Sequence, residues 1–399
     1  MNSRIIRIHF VILLCFNLVN HTYGQDSLYL VDYDKITTGA DQIFKYTPQL
    51  KNKQVALVAN HSSLIGKTHL VDTLTSLNIN IKKIFCPEHG FRGTEDAGKS
   101  ISNDFDLETG IPIISLYGSH KKPTIDDLKG IDIILFDLQD VGTRFYTYIS
   151  TLTYIMESCA ENRIPLIVLD RPNPNGYYVD GPVLEKEFES FVGLHPVPVV
   201  YGMTIGEYSE MVKNEKWIES ADSLQLKIIE LLNYSHNMIV KLKTKPSPNL
   251  PNWESVYLYP SMCFFEGTNM SVGRGTNIPF QVYGQPNFKI GDYTFMPHSN
   301  IGASNPKYNG VLCNGFNLTD YAHNYHSNPK SLNLSWLINS YVAMGSNNEY
   351  FNNYFNKLAG NEELKKQIIE GKTESEIKKS WQDDINKFLA IRAKYLIYD

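Results

Sequence analysis

The stretch IDIILFDL, residues 131–138, runs unbroken through Ile133, Ile134, Leu135 and Phe136 and stops on Asp137. A half-buried strand would alternate apolar with polar, and an isolated helix would need more length. A short continuous apolar run between turn residues therefore predicts a strand covered on both faces. The pattern recurs at QVALVAN (54–60), IKKIFC (81–86), IPIISLY (111–117) and IPLIVLD (164–170). HLVDTLTSL (69–77) and YTYISTLTYIMESCAE (146–161) lie between these runs with helical spacing of their apolar residues. Strands alternating with helices predict an open α/β fold with a mostly parallel sheet. LQLKIIEL (224–231) is expected to add an outer strand, and Thr204-Ile205-Gly206-Glu207 has the capping-box pattern that opens a helix.

Polar clusters follow each strand: Asn60-His61-Ser62, Pro87-Glu88-His89-Gly90, Gly118-Ser119-His120, then Asp137, Gln139 and Asp140, and finally Asp170-Arg171-Pro172-Asn173. Ligands of open α/β sheets bind outside the carboxyl ends of the strands, so these loops should converge on one edge. No GxGxxG follows the first strand and no GxxxxGK[ST] occurs, so no cofactor is expected.

The 399-residue chain has an ordinary globular composition and a formal net charge of −5, which becomes −7 without Arg4 and Arg7 of residues 1–24. That balance argues against a nucleic-acid partner. Two arginines, an apolar run from about Phe10 to Val19 and small or polar residues near Gly24 read as a secretory signal peptide, residues 1–24. With no later apolar segment of membrane-spanning length, a secreted or periplasmic protein without stable membrane insertion is expected. Cys86, Cys159, Cys263 and Cys313 are scattered without a CxxC pair, which indicates no zinc site. KPSPNLPNW (245–253) marks a connector, giving a first domain over 25–258 and a smaller α+β domain over 259–399. Oligomeric state is not legible.

Glu88, on a turn between Pro87 and Gly90, is the leading candidate acid; the alternative is a clamp on Arg92. His89 would orient it or bind substrate. His61, His89 and His120 make a weaker metal alternative, with no HxH or HExxH spacing to support it. Asp137 and Asp140 in FDLQDVGTRFYTY would supply the second carboxylate that glycoside hydrolysis requires, or cap the helix that follows. Arg144, Tyr146, Asp170, Arg171 and Asn173 are further binding candidates, as are Glu266, Asn269 and Arg274 in FEGTNMSVGRGTNIPF (265–280). Each has a structural alternative: Asp-Arg pairs and Asn-Pro turns also build loops.

PEHGFRGTEDAG, SLYG, FDLQDVGTRFYTYISTL, LDRPNPNG, PSPNLP, YPSMCFFEGTNMSVGRGT and the closing FLAIRAKYLIY together resemble the exo-β-N-acetylmuramidase family NamZ, from about residue 54 to the C-terminus. The resemblance implies a Rossmann-like domain with a smaller C-terminal domain, and a glycosidase that releases N-acetylmuramic acid from the non-reducing ends of peptidoglycan fragments. Muropeptides or disaccharides would be its partners, and Glu88 its catalytic residue in an interdomain cleft. NHSS (60–63) departs from the family's usual Asn-Pro or Asn-Gln at this loop. The substrate's lactyl carboxylate would suit an arginine fork, with Arg144 and Arg171 preferred over Arg92 and Arg274. A non-catalytic muropeptide-binding protein on the same scaffold is the alternative from another class.

Overall fold

The computed structural model describes residues 28–87, 90–92 and 104–399. Its centre is a seven-stranded sheet formed by β1 (Val55–Ala59), β2 (Ile81–Cys86), β3 (Asp104–Phe105), β4 (Pro112–Ser115), β5 (Ile133–Asp137), β6 (Leu166–Leu169) and β7 (Leu226–Ile229). The order across the sheet is β7-β6-β5-β1-β2-β4-β3. All neighbours are parallel except the edge pair β3 and β4. The direction of winding reverses between β1 and β5, as in doubly wound α/β folds, so the carboxyl ends of those strands flank the switch point. The predicted mostly parallel α/β sheet is the observed one, including its outer strand β7.

The continuous apolar runs are explained by burial on both faces. All five residues of β1 are fully buried. Ala56 and Val58 belong to the same core as Ile149, Leu152 and Met156 of α2 (Tyr148–Asn162), whereas Val55, Leu57 and Ala59 belong to the core of Leu70, Val71 and Leu74 of α1 (Leu70–Ser76). The side-chain period of two thus divides one strand between two cores. Each buried Val or Leu contributes roughly 1.5–3 kcal/mol of transfer free energy. Thr204 closes the predicted capping box with Glu207 at the start of α3 (Ile205–Asn214).

The second domain is smaller and mixes helices with an antiparallel sheet, β8 (Val282–Gln285), β9 (Tyr293–Phe295) and β10 (Cys313–Asn317), ordered β8-β10-β9. Residue 258, the last of the first domain as read from composition, lies inside α4 (Trp253–Met262). The connector before it is no loose hinge: Pro246, Ser247, Asn249 and Leu250 are all buried. The chain end returns to the sheet domain after α5 (Gln382–Arg392), where the Tyr398 hydroxyl donates to Asp170 Oδ2 at 2.7 Å and the Ile397 amide to Glu207 Oε1 at 2.8 Å. Cys86, Cys159, Cys263 and Cys313 are buried free thiols. Among the described residues no helix is long and apolar enough to cross a membrane.

Candidate active site

The loops at the carboxyl edge of the sheet meet the second domain around a cleft of about 600 Å³. From the first domain come Tyr117, just beyond β4, and Tyr146 and Tyr148, between β5 and the body of α2; the buried connector adds Ser247, Asn249 and Leu250. The tyrosines are held from below. Asn60, immediately after β1, donates through Nδ2 to the Tyr148 hydroxyl at 2.7 Å, and its Oδ1 accepts from the Ser62 amide and hydroxyl at 2.9 and 2.6 Å. The Tyr146 hydroxyl donates to the Pro246 carbonyl at 2.8 Å, and its ring stands edge-on to Tyr148 at 4.7 Å.

The turn that launches this segment needs Gly142. Its φ is +77°, and a Cβ there would sit 2.0 Å from Asn173 Oδ1. Asp140 Oδ2 accepts from the Gly142 amide at 2.6 Å and from the Tyr201 hydroxyl. Burial pushes the Asp140 carboxyl up to about 7, against the opposing pull of the Tyr201 and Gly142 hydrogen bonds. This carboxyl ties the turn and does not line the cleft.

The second domain presents a different carboxylate. α4 leads into a single-turn helix, Cys263–Gly267, whose Glu266 lines the cleft at 24% side-chain exposure. Glu266 Oε1 accepts from Arg274 Nε at 2.6 Å, and the guanidinium lies 5.1 Å from the Phe280 ring. Arg274 is 29% exposed, and the described residues hold it only through Nε, leaving its terminal nitrogens without a hydrogen bond among them. Gly273 and Gly275 on either side have φ of +76° and +84°, and a Cβ on Gly275 would meet the His298 carbonyl at 2.5 Å.

The other arginines serve the frame. Arg144 is fully buried and donates to four carbonyls, Pro182, Val197, Leu358 and Ala359, at 2.7–2.9 Å. Burial without a carboxylate partner lowers its pKa to about 9. Arg171 meets Asp137 through Nε at 2.6 Å and Nη2 at 2.8 Å, and reaches the Tyr33 hydroxyl at 2.7 Å; Asp137 is fully buried. Burial disfavours the Arg171 charge, but Asp137 and Tyr33 outweigh it and raise the pKa. Arg171 borders a separate pocket of about 270 Å³ beside Tyr33, Ser62 and Gln139. Arg92 is ion-paired to Asp106 at 2.8 Å, Asp72 at 3.3 Å and Glu108 at 3.4 Å.

Arg144 and Arg171, the arginines preferred from the sequence as a fork for a ligand, already hold long-range partners in the frame. Asp137 and Asp140 are likewise withdrawn from the cleft by an ion pair and a turn. Asp170 caps α3, accepting from Thr204 Oγ1 at 2.7 Å and the Gly206 amide at 2.8 Å, and burial pushes it up to about 7. Asn173 braces a loop through the Met203 carbonyl and the Asn175 amide, both at 2.8 Å. The Asn269 backbone carbonyl accepts from the Tyr308 hydroxyl at 2.6 Å, and its side chain does not line the cleft. Tyr146, Glu266 and Arg274 do line it, and Asn60 supports it. Glu88 and His89 lie outside the described residues. His61 bonds the Lys245 carbonyl at 2.8 Å and His120 faces Asp127 at 3.0 Å; no three metal-ligating side chains gather among the described residues.

Composition and strand order did not single out Lys121, Phe191, Tyr259 or Lys357 as cleft residues. Lys121 follows the Gly118-Ser119-His120 cluster by one residue and was within reach of that argument. Lys357 stands in YFNKLAG, which has no distinguishing pattern.

Family models for the exo-β-N-acetylmuramidase NamZ match the chain over residues 55–254 (N-terminal) and 257–398 (C-terminal). A peptidoglycan β-N-acetylmuramidase NamZ of Bacillus subtilis (strain 168) is 37% identical, over 91% of this chain and 92% of that protein. Crystal structures of two DUF1343 family proteins from Bacteroides fragilis NCTC 9343 are also similar. One has a TM-score of 0.83 at 42% identity, covering 91% of this chain and 99% of the other. The second has a TM-score of 0.74 at 25% identity, covering 92% and 99%.

Proposed function

The chain belongs to the exo-β-N-acetylmuramidase NamZ family of glycosidases, and from that premise we propose that it releases N-acetylmuramic acid from the non-reducing ends of peptidoglycan fragments, with Glu88 as general acid. One observation carries the assignment of Glu88. In the sheet, β2 lies between β1 and β4, and the chain beyond both neighbours serves the cleft: Asn60 after β1 holds Tyr148, and Tyr117 after β4 lines the wall. Glu88 is the second residue after Cys86, where β2 ends.

Glycoside hydrolysis breaks the bond between the anomeric carbon and the leaving oxygen. Glu88 gives its proton to that oxygen, water's hydroxyl ends on the anomeric carbon, and water's remaining proton restores the acid. Glu266 is the proposed second carboxylate, since it faces the cleft while Asp137 and Asp140 are tied up in the frame. The lactyl carboxylate is assigned to Arg274, whose terminal nitrogens remain available, with Lys121 and Lys357 adding positive charge. Tyr146 and Tyr259 supply ring faces and edges for the sugar and its acetamido methyl. Export through the N-terminal signal belongs to the same proposal, and mass spectrometry of the mature N-terminus would test it.

The functional test is Glu88→Gln, which keeps shape and removes the acid. Turnover of natural muropeptides should fall on the order of a hundredfold or more. The loss should be smaller for a chromogenic muramic-acid glycoside, whose activated leaving group needs no proton. Near-normal turnover of muropeptides by the folded variant would refute the assignment, and no free sugar from the unaltered protein would favour a binding protein.

A further inference from the structure

The cleft continues beyond the Glu266–Arg274 pair. A second chamber of about 620 Å³ shares Tyr117, Glu266 and Arg274 with the first and is walled on its far side by residues 302–307 of the second domain. The ion pair thus stands between two spaces of similar size. Their chemistry differs.

The first chamber contains Lys121 and Lys357, and neither makes an ion pair with a carboxylate among the described residues; Lys121 Nζ rests 4.8 Å over the Phe191 ring. Among the described residues the far chamber has one cation of its own, Lys307, and its Nζ already donates to the Thr268 carbonyl at 2.6 Å and the Met270 carbonyl at 2.9 Å. Beyond the shared Glu266–Arg274 pair, the rest of that wall is neutral among the described residues, with the hydroxyls of Ser271 and Ser304 and the amide of Asn305. A ligand carboxylate gains more beside cations whose donors are unspent than beside an ammonium committed to two carbonyls. A neutral ligand rich in hydroxyl and amide groups finds partners in the far chamber without having to desolvate a charge.

We propose that the Glu266–Arg274 pair divides the substrate by charge: the acidic sugar that is released occupies the Lys121–Lys357 chamber, and a neutral amide-bearing sugar, the leaving group, occupies the 302–307 chamber. This rests on the muramidase reading and adds to it the direction in which the glycan lies. It also makes the 302–307 loop a determinant of leaving-group preference, because the acidic sugar does not touch it.

The test fills the far chamber by Ser304→Trp on its exposed loop and compares two substrates, a disaccharide of N-acetylmuramic acid linked to N-acetylglucosamine and a methyl glycoside of N-acetylmuramic acid. The kcat/KM for the disaccharide should fall about tenfold or more, equivalent to about 1.4 kcal/mol, mainly through KM. The methyl glycoside and inhibition by free N-acetylmuramic acid should change less than about twofold, within the small effect expected of a surface substitution. Asn305→Ala, a milder change, should raise the disaccharide KM by about threefold, as for one lost neutral hydrogen bond. Equal losses on both substrates, or no loss on the disaccharide with either variant, would overturn the division while leaving the muramidase reading intact. No turnover of either substrate by the unaltered protein would overturn both.

Discussion

Arg144 and Arg274 stand at opposite ends of a contrast between two regions of this molecule. Behind the tyrosine wall, Arg144 has no exposed surface and spends four hydrogen bonds on carbonyls from both domains. At the cleft, Arg274 is fixed by one bond to Glu266 and keeps the outer edge of its guanidinium accessible. The same side chain is a rivet in one place and, in the proposed function, a recognition group in the other. The carboxylates repeat the pattern: Asp137, Asp140 and Asp170 are enclosed and bonded, whereas Glu266, held by Arg274 on Oε1 and by the Cys263 thiol on Oε2 at 3.7 Å, faces the cavity. Among the described residues, Asn60, Asp137 and Asp170 at the strand ends build the frame, and Tyr117, Tyr146, Glu266 and Arg274 in the cleft come from the loops beyond and from the second domain.

The contrast predicts unequal losses. Arg144→Met should be the most damaging, because it removes the guanidinium donor from the buried carbonyls of Pro182, Val197, Leu358 and Ala359 and unpins the second domain from the first. A loss of about 3–5 kcal/mol in unfolding free energy is expected, by the scale for removing one partner from a buried charged network. A change below 1 kcal/mol in denaturant titration would show that Arg144 does not brace the domains.

Arg274→Ala should behave in the opposite way. Its partly exposed ion pair stabilises the fold by less than about 1 kcal/mol, while losing a charge-assisted contact to a carboxylate should cost about 1.5–3 kcal/mol in substrate recognition. The preference for muramic acid over N-acetylglucosamine in kcat/KM should collapse with the melting temperature little changed. An unchanged preference would move the carboxylate contact to Lys121 or Lys357.

The third effect is in pH dependence. Burial raises the Asp140 carboxyl from 3.8 to about 7, so between those values the folded state keeps a proton that the unfolded state releases. The stability from this group is complete below about pH 4 and is lost as pH rises through about 7. Asp140→Asn should flatten that decline in melting temperature, and Asp170, raised to about 7 by burial, should preserve part of it. An undiminished slope would mean that Asp140 is ionised in the folded protein.

The fold was legible because burial on both faces writes itself into composition: β1 and β5 can hold little but apolar residues, and they read as strands without any partner being known. The edge on which the cleft opens was legible for a related reason, since polar residues cannot continue inside such strands and collect where they end. Whether those polar residues are spent was not legible. Arg144 is satisfied by Leu358, 214 residues away, and Arg171 by Tyr33, 138 residues away. No local pattern records such partners. Glu266 and Arg274 were marked by their glycine-rich loop, whose positive φ angles require glycine, whereas Lys357 had no neighbouring signal. The motif resemblance supplied the family and its chemistry, and packing decided which of the named arginines remains available to a ligand.

The most direct test of this account is a crystal structure of Glu88→Gln with a bound disaccharide of N-acetylmuramic acid and N-acetylglucosamine. The prediction places the lactyl carboxylate within hydrogen-bond distance of Arg274, the glycosidic oxygen beside residue 88, Glu266 near the anomeric carbon and the second sugar toward Ser304 and Asn305. A disaccharide seated instead in the pocket beside Arg171 and Gln139, or lying in the cleft with its carboxylate away from Arg274, would contradict it.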